Sequence, residues 1–329
     1  MSDPDALRTL VTGGAGYLGI PAVHQLLDAG HGVTVLDSLL HGQEELAAGL
    51  EAAGARLVRG DVRDPDARAT ALDGATSIVH LAAIVGDPAC AADPAKARAV
   101  NLDATRALVG EAAAAGVRRF VFASTCSNYG RMADPEVPVD EEAPLAPVSL
   151  YAEQKVEIEK MLLADGSGAT VPTCLRFATV YGAAPRMRFD LTVNEFTREL
   201  WADRDLEVFG EQFWRPYVHV RDAARGILRV LEAGPEEVGN DVFNVGHSDE
   251  NYRKLDLVEI ITGEIDRGNV SFVHRDEDPR DYKVSFAKVK ERLGFEPEMR
   301  VPDGVREIAK GLEEEAFGDP FDATHRNTP

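Results

Sequence analysis

The 329 residues carry 35 Lys and Arg against 56 Asp and Glu, a net charge of -21, and 44% of them are apolar. A chain of this length and composition can bury a substantial core, and its acidity argues against a general nucleic-acid or anionic-membrane binder, so an anionic ligand would need a locally basic pocket. The three cysteines have no metal-like spacing and imply a reducing compartment with no metal site; the acidic N-terminus shows no signal peptide and no span suits a membrane helix, so a cytoplasmic protein is expected.

In chain order, Leu7 to Thr12 reads as a strand, followed by Gly13-Gly14-Ala15-Gly16-Tyr17-Leu18-Gly19 and a helix to about Ala29. Gly13, Gly16 and Gly19 allow a tight turn, close approach of backbone N–H groups to a phosphate, and close packing of helix on sheet. A second strand, Gly32 to Asp37, ends in an acid where a carboxylate would accept from adenosine ribose hydroxyls and repel a 2'-phosphate, which favours NAD over NADP. Asp37 could also be a turn or cap residue only. Further strands are expected at 55–58, 77–80, 119–123, 172–177 and 241–245, with helix-like segments between the earlier ones, and this alternation implies a parallel sheet covered on both faces.

The candidate ligand residues fall at strand carboxyl ends, where such sheets bind ligands: the glycine loop, Asp37, Asp61 with Val62, Leu81-Ala82-Ala83 after His80, and Ser124-Thr125. The run from Asp93 to Gly116 reads as one long Ala-rich helix, with polar Asn101 available to a water or a neighbouring helix. Beyond Gly182 the pattern changes to a basic loop, Pro185 to Asp190, a helix over 191–202, a short strand over 207–209, a loop over 210–217 and a helix from Val218. The tail after Ala316 is expected to pack poorly. The fold class is therefore α/β: a doubly wound parallel (Rossmann) sheet from residues 1–181 and 218–246, with a smaller interleaved substrate-binding lobe from 182–217 and 247–329.

Tyr151 and Lys155 are four residues apart, and Ser149 before them suits a helix N-cap, so both would share one helix face. An ammonium beside a phenol favours phenolate, so the pair could act as a general base nearer neutral pH. An exposed surface helix would carry the same spacing, and the pair gains weight only from the cofactor-like loop and strand-end positions.

With these residues in view, the chain resembles the extended short-chain dehydrogenase/reductase family, in particular its NAD-dependent nucleotide-sugar epimerases and dehydratases. The resemblance runs through Thr12 to Gly19, Gly60-Asp61-Val62, His80 to Ala83, Ser124-Thr125 with Tyr129-Gly130, Tyr151 with Lys155, Val180-Tyr181-Gly182, and Arg215 to Val220. It implies NAD held by Gly13, Gly16, Tyr17, Leu18, Gly19, Asp37, Asp61, Val62, Leu81, Ala82, Ala83, Asn101 and Lys155. It implies catalysis by Thr125, Tyr151 and Lys155, and a nucleotide-diphosphate sugar contacted by Ser127, Thr179, Asn194, Arg215 and Arg280. A homodimer and no nucleic-acid or membrane partner are expected.

Within that family, dehydratases resemble Thr-Asp-Glu where this chain has Thr125-Cys126-Ser127, and decarboxylases commonly carry Glu at the position of Ser127. Neither carboxylate is present; Cys126 is read as a small buried thiol, with an accessible thiol of low pKa as the alternative. The expected activity is 4-epimerisation through a transient 4-keto sugar, with Tyr151 as base. A nucleotide-4-ketosugar reductase or C4 dehydrogenase would use the same residues, and a non-catalytic NAD-binding sensor is a third reading.

Overall fold

A computed structural model describes residues 7–164, 170–275 and 280–327. Its strands are β1 (Arg8–Thr12), β2 (Gly32–Asp37), β3 (Arg56–Arg59), β4 (Ser77–His80), β5 (Arg119–Thr125), β6 (Val171–Phe177), β7 (Thr179–Tyr181), β8 (Asp205–Phe209), β9 (Trp214–His219), β10 (Asp241–Val245), β11 (Asn251–Arg253) and β12 (Asn269–Val273). Its helices are α1 (Gly19–Asp28), α2 (Glu44–Ala52), α3 (Pro65–Leu72), α4 (Asp87–Ala92), α5 (Pro94–Arg98), α6 (Ala104–Ala114), α7 (Leu150–Ala164), α8 (Thr192–Trp201), α9 (Val220–Glu232), α10 (Pro235–Val238), α11 (Lys254–Glu264), α12 (Ala287–Leu293) and α13 (Val301–Glu313).

A seven-stranded sheet in the order β10-β6-β5-β4-β1-β2-β3 forms the centre, and each of its pairings is parallel. Successive side chains of a strand face opposite ways, so a strand buried on both sides must be apolar throughout. In β1, Val11 packs towards Ile20 and Val23 of α1 and Ile227 and Val230 of α9. Its neighbour Leu10 faces Ala71 of α3, Leu108 and Ala112 of α6, and Ile158 of α7. The sheet is thus doubly wound. Strand order reverses between β1 and β4, where Thr12 lies in register with Leu36 on one side and His80 on the other, and that reversal opens a crevice at the carboxyl ends.

A second core joins Phe196 and Leu200 of α8, Leu257 and Ile261 of α11, Val301 and Val305 of α13, and Tyr217 of β9. Beside it lie a three-stranded sheet, β11-β9-β7, and a pair, β12-β8.

Three local expectations are corrected. The stretch expected as a loop up to Tyr217 and a helix from Val218 is strand β9 through His219, paired in parallel with β7 and antiparallel with β11. The Ala-rich helix is divided: Asp93 caps α5, accepting from the Lys96 N–H at 2.9 Å, and a π-helical turn over Ala99–Asp103 separates α5 from α6. The tail after Ala316 is anchored, because Phe189 N–H donates to the His325 carbonyl at 2.9 Å and the Phe317 and His325 rings meet the Phe189 ring edge-on. Among the described residues no helix is long and apolar enough to cross a membrane.

Candidate active site

A cleft of about 680 Å³ opens at the carboxyl ends of β1, β2, β4 and β5. Its floor is the glycine loop. Gly13 has φ +71°, and a Cβ there would stand 2.8 Å from the Ala82 nitrogen; a Cβ at Gly19 would stand 2.2 Å from the Gly13 carbonyl oxygen. The loop can lie this close to Leu81-Ala82-Ala83 only because these side chains are missing. Asp37, at the end of β2, accepts from Ala15 N–H at 3.0 Å and from Leu39 N–H at 2.9 Å, and burial raises its pKa. Tyr17 lines the cleft with its hydroxyl committed to the Gly182 carbonyl at 2.7 Å. Asp61 and Val62 form the next part of the wall, Asp61 being gripped by Arg63 at 2.7 Å, which holds its carboxyl below the usual range. Beneath the loop, Thr12 and Thr105 hydroxyls hold the two ring nitrogens of His80 at 2.7 and 2.8 Å, and burial pushes that imidazole down to about 3.

Thr125, Ser127, Tyr151 and Lys155 share one wall. Ser149 begins α7 by accepting from Ala152 N–H at 3.3 Å. Lys155 is 4% exposed; its Nζ donates to the Ala123 carbonyl at 2.7 Å and stands 5.7 Å from the centre of the Tyr151 ring. Burial brings the ammonium down to about 8. The Tyr151 phenol is raised, first by burial and then by Cys90 and Asp87, against a lowering by Arg188. The lowering expected from Lys155 does not emerge in the bare protein, where the lost hydration of a buried phenolate dominates.

The wall also holds Thr179, Arg215 and Arg280. Arg215 is 8% exposed, donates to the Trp214 carbonyl at 2.6 Å and lies 5.5 Å above the Tyr282 ring. Arg280 pairs with Asp87 at 3.0 Å. Lys and Arg supply eight of the lining residues (63, 96, 155, 186, 188, 215, 254 and 280) against four Asp (37, 61, 87 and 190), so the cleft reverses the sign of the chain. That suits diphosphate ligands.

Two predicted contacts turn away from the cleft. Asn101 is buried, exchanging hydrogen bonds with the Ile84 backbone at 2.8 and 3.0 Å and donating to Gln154 of α7 at 2.9 Å. Asn194 is buried too, accepting from Gly182 N–H at 2.9 Å and donating to the Tyr17 hydroxyl and the Arg188 carbonyl. A polar residue in a helix satisfies buried backbone groups as readily as a ligand, so each positions a lining segment instead.

Several lining residues carried no sequence signal of their own. His41 is brought down to about 4 by burial and by Arg186 and Arg188, and it lines the cleft together with Tyr282. Behind the wall that holds Tyr151 and Lys155, Glu159 of α7 meets Arg176 of β6 at 2.7 Å and also accepts from Ser124 and Asn128. Only the fold brings these together.

Residues 9–246 match the model of the NAD dependent epimerase/dehydratase family. The chain belongs to that family. Its members are NAD-dependent by that description, and the glycine loop with buried Asp37 fits a dinucleotide, so NAD is the cofactor. A UDP-glucose 4-epimerase of Streptomyces lividans is 32% identical over 321 residues, spanning 88% of this chain and 91% of that protein. UDP-glucuronic acid decarboxylase 2 of Arabidopsis thaliana is 30% identical over 323 residues, spanning 95% of this chain and 70% of that protein. Among solved structures, a dTDP-glucose 4,6-dehydratase of Streptomyces venezuelae with NAD bound superposes with a TM-score of 0.85 at 28% identity, over 96% of this chain and all (100%) of the other. The relatives thus span inversion, decarboxylation and dehydration of nucleotide sugars, and likeness alone does not choose among them.

Proposed function

We propose that the protein is a nucleotide-sugar 4-epimerase. The observation that carries this reading is at Thr125-Cys126-Ser127. Cys126 is 1% exposed, its thiol donates away from the cleft to the Arg176 carbonyl at 3.3 Å, and burial raises its pKa well above the ordinary thiol value. Ser127 lines the cleft but is no acid. The cleft's carboxylates have other partners: Asp37 the backbone, Asp61 Arg63, Asp87 Arg280 and Asp190 Arg188. Dehydration and decarboxylation are assisted by a separate acid or base, whereas inversion at C4 needs one group that removes and returns one proton.

Tyr151 takes the proton of the sugar 4-hydroxyl and gives it back, and the Thr125 hydroxyl shares that hydrogen bond. Lys155, fixed to the Ala123 carbonyl, holds its ammonium on the same helix face and would hold the nicotinamide ribose of bound NAD. NAD, when bound, supplies the hydride acceptor and donor at C4, and its positive ring favours the phenolate that burial disfavours. The 4-keto sugar turns over between the two transfers. Arg215 and Arg280 take the sugar-nucleotide diphosphate, with Ser127 and Thr179 beside the sugar. As part of this reading the enzyme is a cytoplasmic homodimer built from the two interleaved parts expected from sequence; a monomer in light scattering would remove the dimer. The test is a panel of UDP, dTDP, GDP and CDP hexoses and hexuronates given to the protein as purified, read by NMR. C4 inversion supports the reading; release of carbon dioxide or a 6-deoxy-4-keto product overturns it.

A further inference from the structure

Trp214 of β9 is where three segments meet beside the cleft. Its backbone N–H donates to Asp281 Oδ1 at 2.9 Å, and its carbonyl accepts from Tyr282 N–H at 3.4 Å and from Arg215 Nη1 at 2.6 Å. Its indole Nε1 donates to Glu136 Oε1 at 2.8 Å. The other oxygen of Glu136 accepts from Lys283 Nζ at 2.6 Å, and that ammonium stands 3.7 Å from the centre of the Trp214 ring. Residues 131–139 and 281–285 run side by side, bridged at Arg131 with Asp281 and at Val139 with Val284. Val139 N–H donates to the Lys283 carbonyl at 3.0 Å, and Ser285 N–H to the Val139 carbonyl at 2.8 Å. One carboxylate therefore clasps the edge of β9 to the strap formed by 281–285.

β9 and the strap each turn a residue into the cleft. Successive side chains of an extended chain point opposite ways, so Trp214 meets the clasp while buried Arg215 lines the cleft, and Asp281 and Lys283 meet the clasp while buried Tyr282 lines it. The Arg215 guanidinium, 5.5 Å from the centre of the Tyr282 ring, is thus oriented by a carbonyl and a ring that the clasp holds in place. Glu136 itself is 65% exposed. An ion pair so open to water contributes little to stability, which leaves orientation as its effect. A guanidinium takes a diphosphate through a planar fork, and an arginine that must be ordered at the moment of binding gives a weaker complex.

We propose that Glu136, Trp214 and Lys283 are positioning residues for the substrate: their clasp orients the Arg215 guanidinium beside Tyr282 to take the diphosphate of a sugar nucleotide. This role rests on the reading that Arg215 binds that diphosphate and not on the reaction at C4, so failure of C4 inversion leaves it standing. It gives a use to the indole next to Arg215. It also makes nucleotide affinity depend on an exposed acid that does not line the cleft.

The test is equilibrium binding of UDP, dTDP, GDP and CDP to the holoenzyme, with NAD content and urea unfolding measured on the same preparations. For the nucleotide that the parent binds best, Glu136→Ala and Trp214→Phe are each expected to weaken binding by about tenfold. Glu136→Gln keeps an acceptor for the indole N–H and should rescue most of this, losing no more than about threefold. NAD content and the unfolding midpoint should stay at parental values. In an Arg215→Ala protein, itself weakened, Glu136→Ala should add less than about twofold, because the clasp acts through that arginine. Unchanged nucleotide affinity in Glu136→Ala, a Glu136→Gln variant no better than Glu136→Ala, a parallel loss of NAD, or a full further loss in the Arg215→Ala protein overturns the proposal. A parent that binds none of the four nucleotides, or an Arg215→Ala protein that binds as the parent does, overturns both the proposal and the reading of Arg215 on which it rests. Should Trp214→Phe fail to fold, the variants of exposed Glu136 decide alone.

Discussion

Glu159 stands one turn beyond Lys155 on the inner side of α7 and accepts from Arg176 Nη2 and Nε through Oε2 at 2.7 and 3.2 Å, which clamps α7 to β6. Arg176 reaches on to the Tyr129 hydroxyl at 3.1 Å, and that hydroxyl donates to Asn244 of β10 at 2.8 Å. β6, β10 and the turn that carries Tyr129 are thereby joined to α7 behind the wall that holds Thr125, Tyr151 and Lys155.

Removing one member of this pair strands the other in the core. Arg176→Met should cost roughly 3–5 kcal/mol of stability, measured by urea unfolding. Glu159→Leu combined with Arg176→Met should recover much of the loss, since no unpaired charge is then left buried. Equal losses in the single and double variants would show that packing, not charge pairing, is at stake.

Lys155 gives a pH signature. Its folded value of about 8 lies below its ordinary 10.5, so between these values the unfolded chain binds more protons and stability rises with pH. Relative to Lys155→Met, the parent should gain on the order of 3 kcal/mol across pH 8 to 10.5, from a shift of 10.5 minus about 8 at about 1.36 kcal/mol per unit. Below pH 8 the difference should be flat. A difference independent of pH throughout would mean that the buried ammonium is fully compensated.

Tyr151→Phe keeps the ring and removes the proton carrier. Turnover should fall by about 10²–10⁴ with cofactor content unchanged. If cofactor content falls in step with turnover, the hydroxyl is a structural contact and not the base.

Gly19→Ala tests the floor of the cofactor site. Its Cβ would stand 2.2 Å from the Gly13 carbonyl oxygen and 2.7 Å from Gly14 Cα, so the loop must move. NAD affinity should fall at least about tenfold, read by native mass spectrometry of the purified protein. Parental occupancy would mean that the loop relaxes without disturbing the ligand.

The legible parts of this fold were those set by local chemistry. Continuous apolar strands, the glycine loop, and the Ser149 cap before Tyr151 each carry their reason within a few residues. β9 was hidden because Trp214-Arg-Pro-Tyr217 contains a proline, which cannot donate to a ladder, and the strand is held by β7 and β11 from elsewhere in the chain. Asn101 and Asn194 looked like ligand contacts because sequence shows that a residue is polar and not which buried backbone group it satisfies. The anchoring of the tail depends on Phe189 and Asp190, more than a hundred positions earlier, and no local pattern announces it.

The most direct test of the central claim is the fate of deuterium placed at C4 of an accepted nucleotide sugar, with no cofactor added. The account predicts C4 inversion with deuterium retained at C4, no gas evolved and no reduced cofactor released. Loss of the label, carbon dioxide, or a 6-deoxy-4-keto product would contradict it.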